Sequence, residues 1–239
     1  MNRTFEEDLD KLRTRIIRMG SLVEEQVEFA LKALQEGNLE LARIVTERDD
    51  KVDKLDLKID KQCQRIFALN QPVASDLRLL LAALKINNEL ERIGDMASNI
   101  AESVVKYPDI VPMAKQLDFT RISDAVFTML KSSIDSFINN DPELAAHVLP
   151  SDSTIETMRS SIQAALIDVM SKDSAAVAPG AYLLLILRNL ERMADHATNI
   201  AENVIFLVQA KLVRHHTVNE DGIDFNQSIT ERPIASEGD

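Results

Sequence analysis

One stretch of this chain is written twice, and that duplication limits what the chain can fold into. Leu84 to Val105 (LKINNELERIGDMASNIAESVV) and Leu184 to Ile205 (LLILRNLERMADHATNIAENVI) superimpose at an offset of 100 without a gap, sharing 12 of 22 positions. The shared residues include Glu91/Glu191, Arg92/Arg192, Asp95/Asp195, Asn99/Asn199 and Glu102/Glu202. A repeated core needs only apolar side chains of suitable volume, so repeated acids and amides call for another reason.

Both copies carry the three- and four-residue apolar spacing of a helix, and so does the rest of the chain. Phe5, Leu9, Leu12, Ile16, Met19, Val23, Val27, Ala30 and Leu34 define a first helix, which Gly37-Asn38 ends as a left-handed cap would. Leu41, Val45, Val52, Leu55, Ile59, Ile66 and Leu69 share one face of a second, stopping near Asn70-Gln71-Pro72. The third runs from about Pro72 to Lys106, and Tyr107-Pro108 through Pro112 separates the halves. A fourth uses Phe119, Ile122, Val126, Met129 and Phe137; Asp141 can cap a fifth, with Pro142 at its first position. Pro150 should kink or restart that fifth helix near Ser151. Lys172-Asp173-Ser174 is the next turn, Pro179-Gly180 blurs the start of the sixth helix, and the sixth continues to about His215. With 6 Gly, 7 Pro, 4% aromatics and no Trp, strands and their turns have little to draw on. The expected fold is all-α: two tandem three-helix bundles over 1–108 and 109–216, then a polar tail over 217–239.

Charge and composition exclude several functions. A net charge of -12 disfavours nucleic acid and anionic lipid as partners, because phosphate binding needs a basic surface. Cys63 is alone, so there is no disulfide framework, and it reads as a small core or boundary residue. The start, MNRTFEEDLD, has acids where a signal peptide carries its apolar core, and no apolar run approaches the ~20 residues of a membrane span. The expectation is a cytoplasmic protein without membrane insertion. No P-loop, dinucleotide turn, hydrolase triad or zinc signature occurs.

The acids are arranged with more order than their number requires. Asp49/Asp53 precede the first copy and Asp152/Glu156 the second, and each pair, like Glu91/Asp95 and Glu191/Asp195, has i, i+4 spacing on one helix face. The first-half pairs are symmetric about residue 72 and the second-half pairs about the Lys172–Ser174 turn. Each helical hairpin should therefore bring four carboxylates to one level, with Asn99 or Asn199 a turn further along. Facing carboxylates repel unless protonated, and a multivalent cation removes that repulsion. The all-oxygen set, with only His196 adjacent, favours hard ions such as Fe(III), Mn, Mg or Ca, and bridging carboxylates allow a cluster. A solvated acidic face, with Arg92 and Arg192 as plain salt-bridge partners, is the alternative reading of the same residues. Gly94 and Ala194 suit close helix approach. His147, His215 and His216 have no partner at ligand spacing. The basic run Lys11, Arg13, Arg15 and Arg18 is either a solvated face or a surface for a protein partner.

At LERIGDMASNIAE, LERMADHATNIAENV and Asp49-x-x-x-Asp53 the chain resembles the PhoU family, the phosphate-specific transport system accessory proteins of bacteria. The resemblance covers the chain up to the tail. It implies paired three-helix bundles whose acidic motifs bind multinuclear iron, or Mn, Mg or Zn. Those motifs are Asp49/Asp53, Glu91/Asp95, Asp152/Glu156 and Glu191/Asp195 here. It further implies a negative regulator of the phosphate-starvation response. Such a protein acts between the phosphate ABC importer's ATPase subunit and a phosphate-sensing histidine kinase, as a homodimer or higher oligomer. Glu156 in place of the usual aspartate, and Pro150 just before Asp152, set the second half apart. Two other functions compete: a carboxylate-bridged dimetal oxidase, for which the chain lacks any Glu-x-x-His, and a metal-free helical scaffold.

Overall fold

A computed structural model of the protein describes residues 3–213. Among the described residues there are eight α-helices and one short 3-10 turn: α1 Arg3–Glu36, α2 Leu39–Asn70, α3 Ala74–Lys106, α4 Ile110–Gln116, α5 Phe119–Asn139, α6 Pro142–Val148, α7 Ser151–Lys172, the turn Ser174–Ala176 and α8 Val177–Gln209. No strand occurs among the described residues. His215, His216 and the tail from 217 lie outside them, and α8 ends at Gln209 rather than near His215.

The apolar spacing forms the core that the sequence predicts. Leu12, Ile16, Met19, Val23 and Val27 of α1 are buried, as are Val45, Ile59, Cys63 and Ile66 of α2. Removing each large side chain from water stabilises the fold by about 1.5–3 kcal/mol. Burial also drives the Cys63 thiol up to about 12, so it is an inert packing group. Leu69 is an exception: it projects beyond the end of the core and is 69% exposed.

The helix ends are set by local chemistry. Gly37 adopts φ +77, and Asn38 then caps α2, its Oδ1 accepting from the amides of Glu40 (3.1 Å) and Leu41 (3.2 Å). Asp141 caps α6 in the same way, with Pro142 at the first position. Pro150 does restart the helix: α6 stops at Val148 and α7 begins at Ser151. Two details differ from expectation. Pro72 lies in the connection before α3 instead of in its first turn, and the Pro-rich segment between the halves folds into α4, whose Ile110 and Val111 are buried. The start of α8 is resolved by packing. Gly180 lies close to α7, where a Cβ would sit 2.6 Å from Met170 Sδ, so the thioether fills the space that the glycine leaves open.

α1, α2 and α3 form the first bundle, and α5, α7 and α8 the second, with α6 filling beside α5 and α8. α3 and α8, which carry the repeated stretches, pack against each other in antiparallel sense. Tyr107 at the end of α3 stacks on Tyr182 near the start of α8 (centroids 3.5 Å, interplanar angle 17°), while Lys85 of α3 lies over the Phe206 ring of α8 at 6.0 Å. α1 and α5 add a second contact, where Arg13 Nη2 donates to the Ile138 carbonyl at 3.1 Å. That contact takes Arg13 out of the basic run.

Candidate metal centre

The α2–α3 hairpin turns at residues 71–73, where the symmetry of the acids had placed it, and its register brings the two acidic pairs together. Asp95 feels the charges of Asp49 and Asp53, and Glu91 those of Asp95, Asp56 and Asp53. Burial, reinforced by this repulsion, raises both carboxyls above the ordinary range; Arg92 opposes the shift without cancelling it. Asp53 is raised for the same two reasons, burial first and then the charge of Asp49. Ser98 supports the group, its hydroxyl donating to Asp49 Oδ1 at 2.8 Å.

The acidic row is longer than the paired motif indicates. Asp56 and Asp60 continue it along α2, and Asn87 of α3, fully buried, donates to Asp56 Oδ1 at 2.6 Å and to Asp60 Oδ1 at 3.4 Å. Burial and Asp60 raise Asp56, and the Asn87 hydrogen bond pulls it back down. The signal for these two acids was present as a 4, 3, 4 spacing from Asp49 to Asp60. Gly94 does mark a close approach, but of α1 and α2: a Cβ there would meet Gln26 Oε1 at 3.3 Å and Val52 Cγ1 at 3.4 Å.

The second half differs at one position. α7 aligns with α2 at an offset of 103, which sets Arg159 where the first half has Asp56. Arg159 Nε stands 2.9 Å from Glu191 Oε1, and its Nη1 donates to Gln163 Oε1 at 2.7 Å. The chain's own guanidinium thus faces the acid that corresponds to Glu91. Asp152 falls in the first turn of α7, where a negative charge is stabilised by the helix dipole, and Glu156 and Asp195 are exposed.

The two amides expected near the carboxylates go elsewhere. Asn199 faces the α3–α8 seam and donates to Glu89 Oε2 at 3.2 Å, while the Asn99 side chain is exposed. His196 is on the same seam, donating through Nδ1 to Glu89 Oε2 at 2.5 Å. The one imidazole beside a repeated acid is therefore part of the joint between the halves. Glu89 is absent from the second copy, where Asn189 replaces it, so the duplicated pattern gave no hint of its role.

A cation needs uncompensated oxygens that can converge. Asp49, Asp53 and Asp95 meet the first condition, for they repel one another across α2 and α3, and Glu91 meets it in part, its ion pair being a long one to the neighbouring Arg92 (Nε to Oε2 3.6 Å). Among the described residues no three or more His, Cys, Asp or Glu side chains are already drawn into ligating geometry. Asp152, Glu156, Glu191 and Asp195 meet the first condition less well, because Arg159 already compensates Glu191.

Comparison with known proteins agrees with this architecture. A family model described as the PhoU domain matches twice, over residues 16–104 and 119–204. The chain is 35% identical over 219 residues to the phosphate-specific transport system accessory protein PhoU homolog of Zymomonas mobilis, covering 92% of each chain. It is 36% identical over 216 residues to the homolog from Pseudomonas aeruginosa, covering 90% of this chain and 89% of that one. The crystal structure of PhoU from Pseudomonas aeruginosa superimposes with a TM-score of 0.82 at 35% identity, over 87% of this chain and all of that one. That of the phosphate transport system regulatory protein PhoU from Streptococcus pneumoniae gives 0.79 at 27% identity, over 88% of this chain and 99% of that one. Two matched domains, relatives above 30% identity along nearly the whole chain, and the same helical fold establish that this chain belongs to the PhoU family.

Proposed function

We propose that this protein is a non-enzymatic regulator of phosphate uptake, a cytoplasmic adaptor that restrains the phosphate-starvation response when phosphate is plentiful. Its partners in this reading are the ATPase subunit of the phosphate ABC importer and the phosphate-sensing histidine kinase, and it acts as a homodimer or higher oligomer. The relatives' names, accessory and regulatory proteins of phosphate transport, support the system. No helix among the described residues is long and apolar enough to cross a membrane, which suits a protein that meets these partners from outside the bilayer.

The observation that carries the metal part of this reading is the mutually repelling carboxylate group on α2 and α3, which Arg92 offsets only in part. Asp49, Asp53, Glu91 and Asp95 would hold a hard multivalent cation, iron first and Mn or Mg next, with Zn disfavoured by the all-oxygen set. Such an ion supplies positive charge that offsets their repulsion and ties α2 to α3. In the second half Asp152, Glu156, Glu191 and Asp195 form the weaker site, because Arg159 already supplies part of that charge. Deleting the gene should derepress phosphate-starvation genes in phosphate-rich medium, measured with a transcriptional reporter. Normal repression in the deletion strain would remove the regulatory reading.

A further inference from the structure

The second helix has two charged flanks. Its acidic row faces α3, while Lys51, Lys54, Lys58, Lys61 and Arg65 stand on the opposite flank and face the valley between α2 and α1. Lys11, Arg15 and Arg18 of α1 line the other wall, with Asp8 the one acid that lines either hollow. Eight of the chain's 27 basic residues thus share one valley on a protein of net charge -12. Internal partners do not account for them. Lys54 reaches Asp50 at 3.1 Å on the open surface, and Arg15 donates to the neutral Gln62 at 2.6 Å. Among the described residues the other six have no ion pair, although acids outnumber bases 39 to 27. Such segregation maintains an attractive field that random mixing would cancel.

We propose that this α1–α2 valley docks an acidic, amphipathic helix of a protein partner. Two adjoining hollows of about 350 and 410 Å3, joined at Lys58, form the valley, and Leu22 and Leu55 contribute apolar floor to the first. Basic walls over an apolar floor match a helix with a leucine stripe and acidic edges. From Lys51 to Arg65 the basic wall runs about 21 Å at 1.5 Å per residue, the length of roughly four helical turns. The observations disfavour other polyanions. A nucleic acid duplex would bring phosphates close to the acidic row on the far flank of α2, only a helix diameter of ~10–12 Å away. A lipid surface is flat, whereas these side chains border a concavity. The inference rests on the adaptor reading for the partner's identity and places one of its contact surfaces; it is independent of any metal.

The test uses the full-length protein and a fluorescent synthetic helix of about four turns, with a leucine stripe flanked by glutamates. Comparison ligands are the same residues in scrambled order, a short DNA duplex and phosphatidylserine vesicles. Anisotropy should show the striped peptide binding more tightly than all three, with affinity falling as salt rises. Reversing three wall charges together, Lys51→Glu, Lys58→Glu and Lys61→Glu, should weaken binding about tenfold or more. The matched set Lys85→Glu, Lys115→Glu and Lys211→Glu, on other faces, should leave it unchanged, with helical content by circular dichroism as the folding check. The single Lys58→Ala variant serves if the triple variant unfolds, and should weaken binding measurably. Absent peptide binding, equal binding of the scrambled peptide, tighter binding of DNA or vesicles, or unchanged affinity in the valley variants would each overturn the proposal. None of these results bears on phosphate repression in the deletion strain, so the two readings fail separately.

Discussion

Replacing Arg159 with aspartate should turn the second hairpin into a copy of the first, because Asp56 is its counterpart on α2. The substitution removes the 2.9 Å pairing of Arg159 with Glu191, whose side chains are 26% and 35% exposed. A pair this accessible is screened by water, so its loss costs about 1 kcal/mol, the upper end for exposed ion pairs. The new carboxylate also repels Glu191, and at separations of several Å in an intermediate dielectric that adds about 1 kcal/mol more. The sum of about 2 kcal/mol should lower the melting temperature by roughly 4–8 °C for a chain of this size. The assay is thermal denaturation in a chelator, repeated after adding iron or manganese. Metal should restore more of the melting temperature in the variant than in the parent protein, since the variant's second hairpin exchanges a guanidinium for a further carboxylate beside Glu191. An unchanged melting temperature in chelator would show that the Arg159–Glu191 contact is incidental. An unchanged metal response would refute the idea that a guanidinium stands in for a cation there.

Further expectations concern the acids, the close contacts and the caps. Glu91, Asp95, Asp53 and Asp56 are all raised in the folded state, so that state binds more protons than the unfolded chain. Their contribution is therefore most favourable below the unfolded carboxyl values of about 4 and is lost as pH climbs through the raised folded values. Metal-free protein should accordingly melt higher at mildly acidic than at neutral pH, and Asp53→Asn should flatten that slope in calorimetric scans. Gly180→Ala sets a methyl against the flexible, half-buried Met170, which can swing aside, so a repacking cost of about 1 kcal/mol should nearly cancel a helix-propensity gain of about 1 kcal/mol and leave the melting temperature almost unchanged. Combining it with Met170→Ala should show a coupling below about 1 kcal/mol in a double-mutant cycle of melting temperatures, and a larger coupling would mean that Met170 cannot move aside. Asn38→Ala deletes the α2 cap and should cost about 1 kcal/mol in chemical denaturation.

Much of this architecture could be read directly from the chain. The apolar spacing located the long helices, and the symmetry of the acidic pairs about residue 72 located the α2–α3 turn, because side chains equidistant from a helical turn become neighbours. Asp141 and Pro142 announced α6, and Pro150 the break before α7. What escaped were features that depend on rotation about a helix or on its neighbours. Asn99 sits one residue from Ser98, yet only Ser98 turns toward Asp49; one residue is a rotation of about 100°. Asn199 and His196 share the repeat's helical face with no indication that α8 would rest on α3 and present them to Glu89. Arg159 becomes meaningful only when α7 is aligned with α2 at its own offset of 103 rather than the 100 of the duplicated stretch. The basic valley was half visible: the α1 residues form a run, while those on α2 alternate with acids and separate into two rows only when wound on a helix.

The unequal hairpins are best tested by anomalous scattering from crystals grown with iron, with data collected on either side of its absorption edge. A strong peak is expected between α2 and α3, within reach of Asp49, Asp53, Glu91 and Asp95, and a weaker one or none between α7 and α8. Equal peaks in the two halves, or density confined to the α7–α8 side, would contradict it.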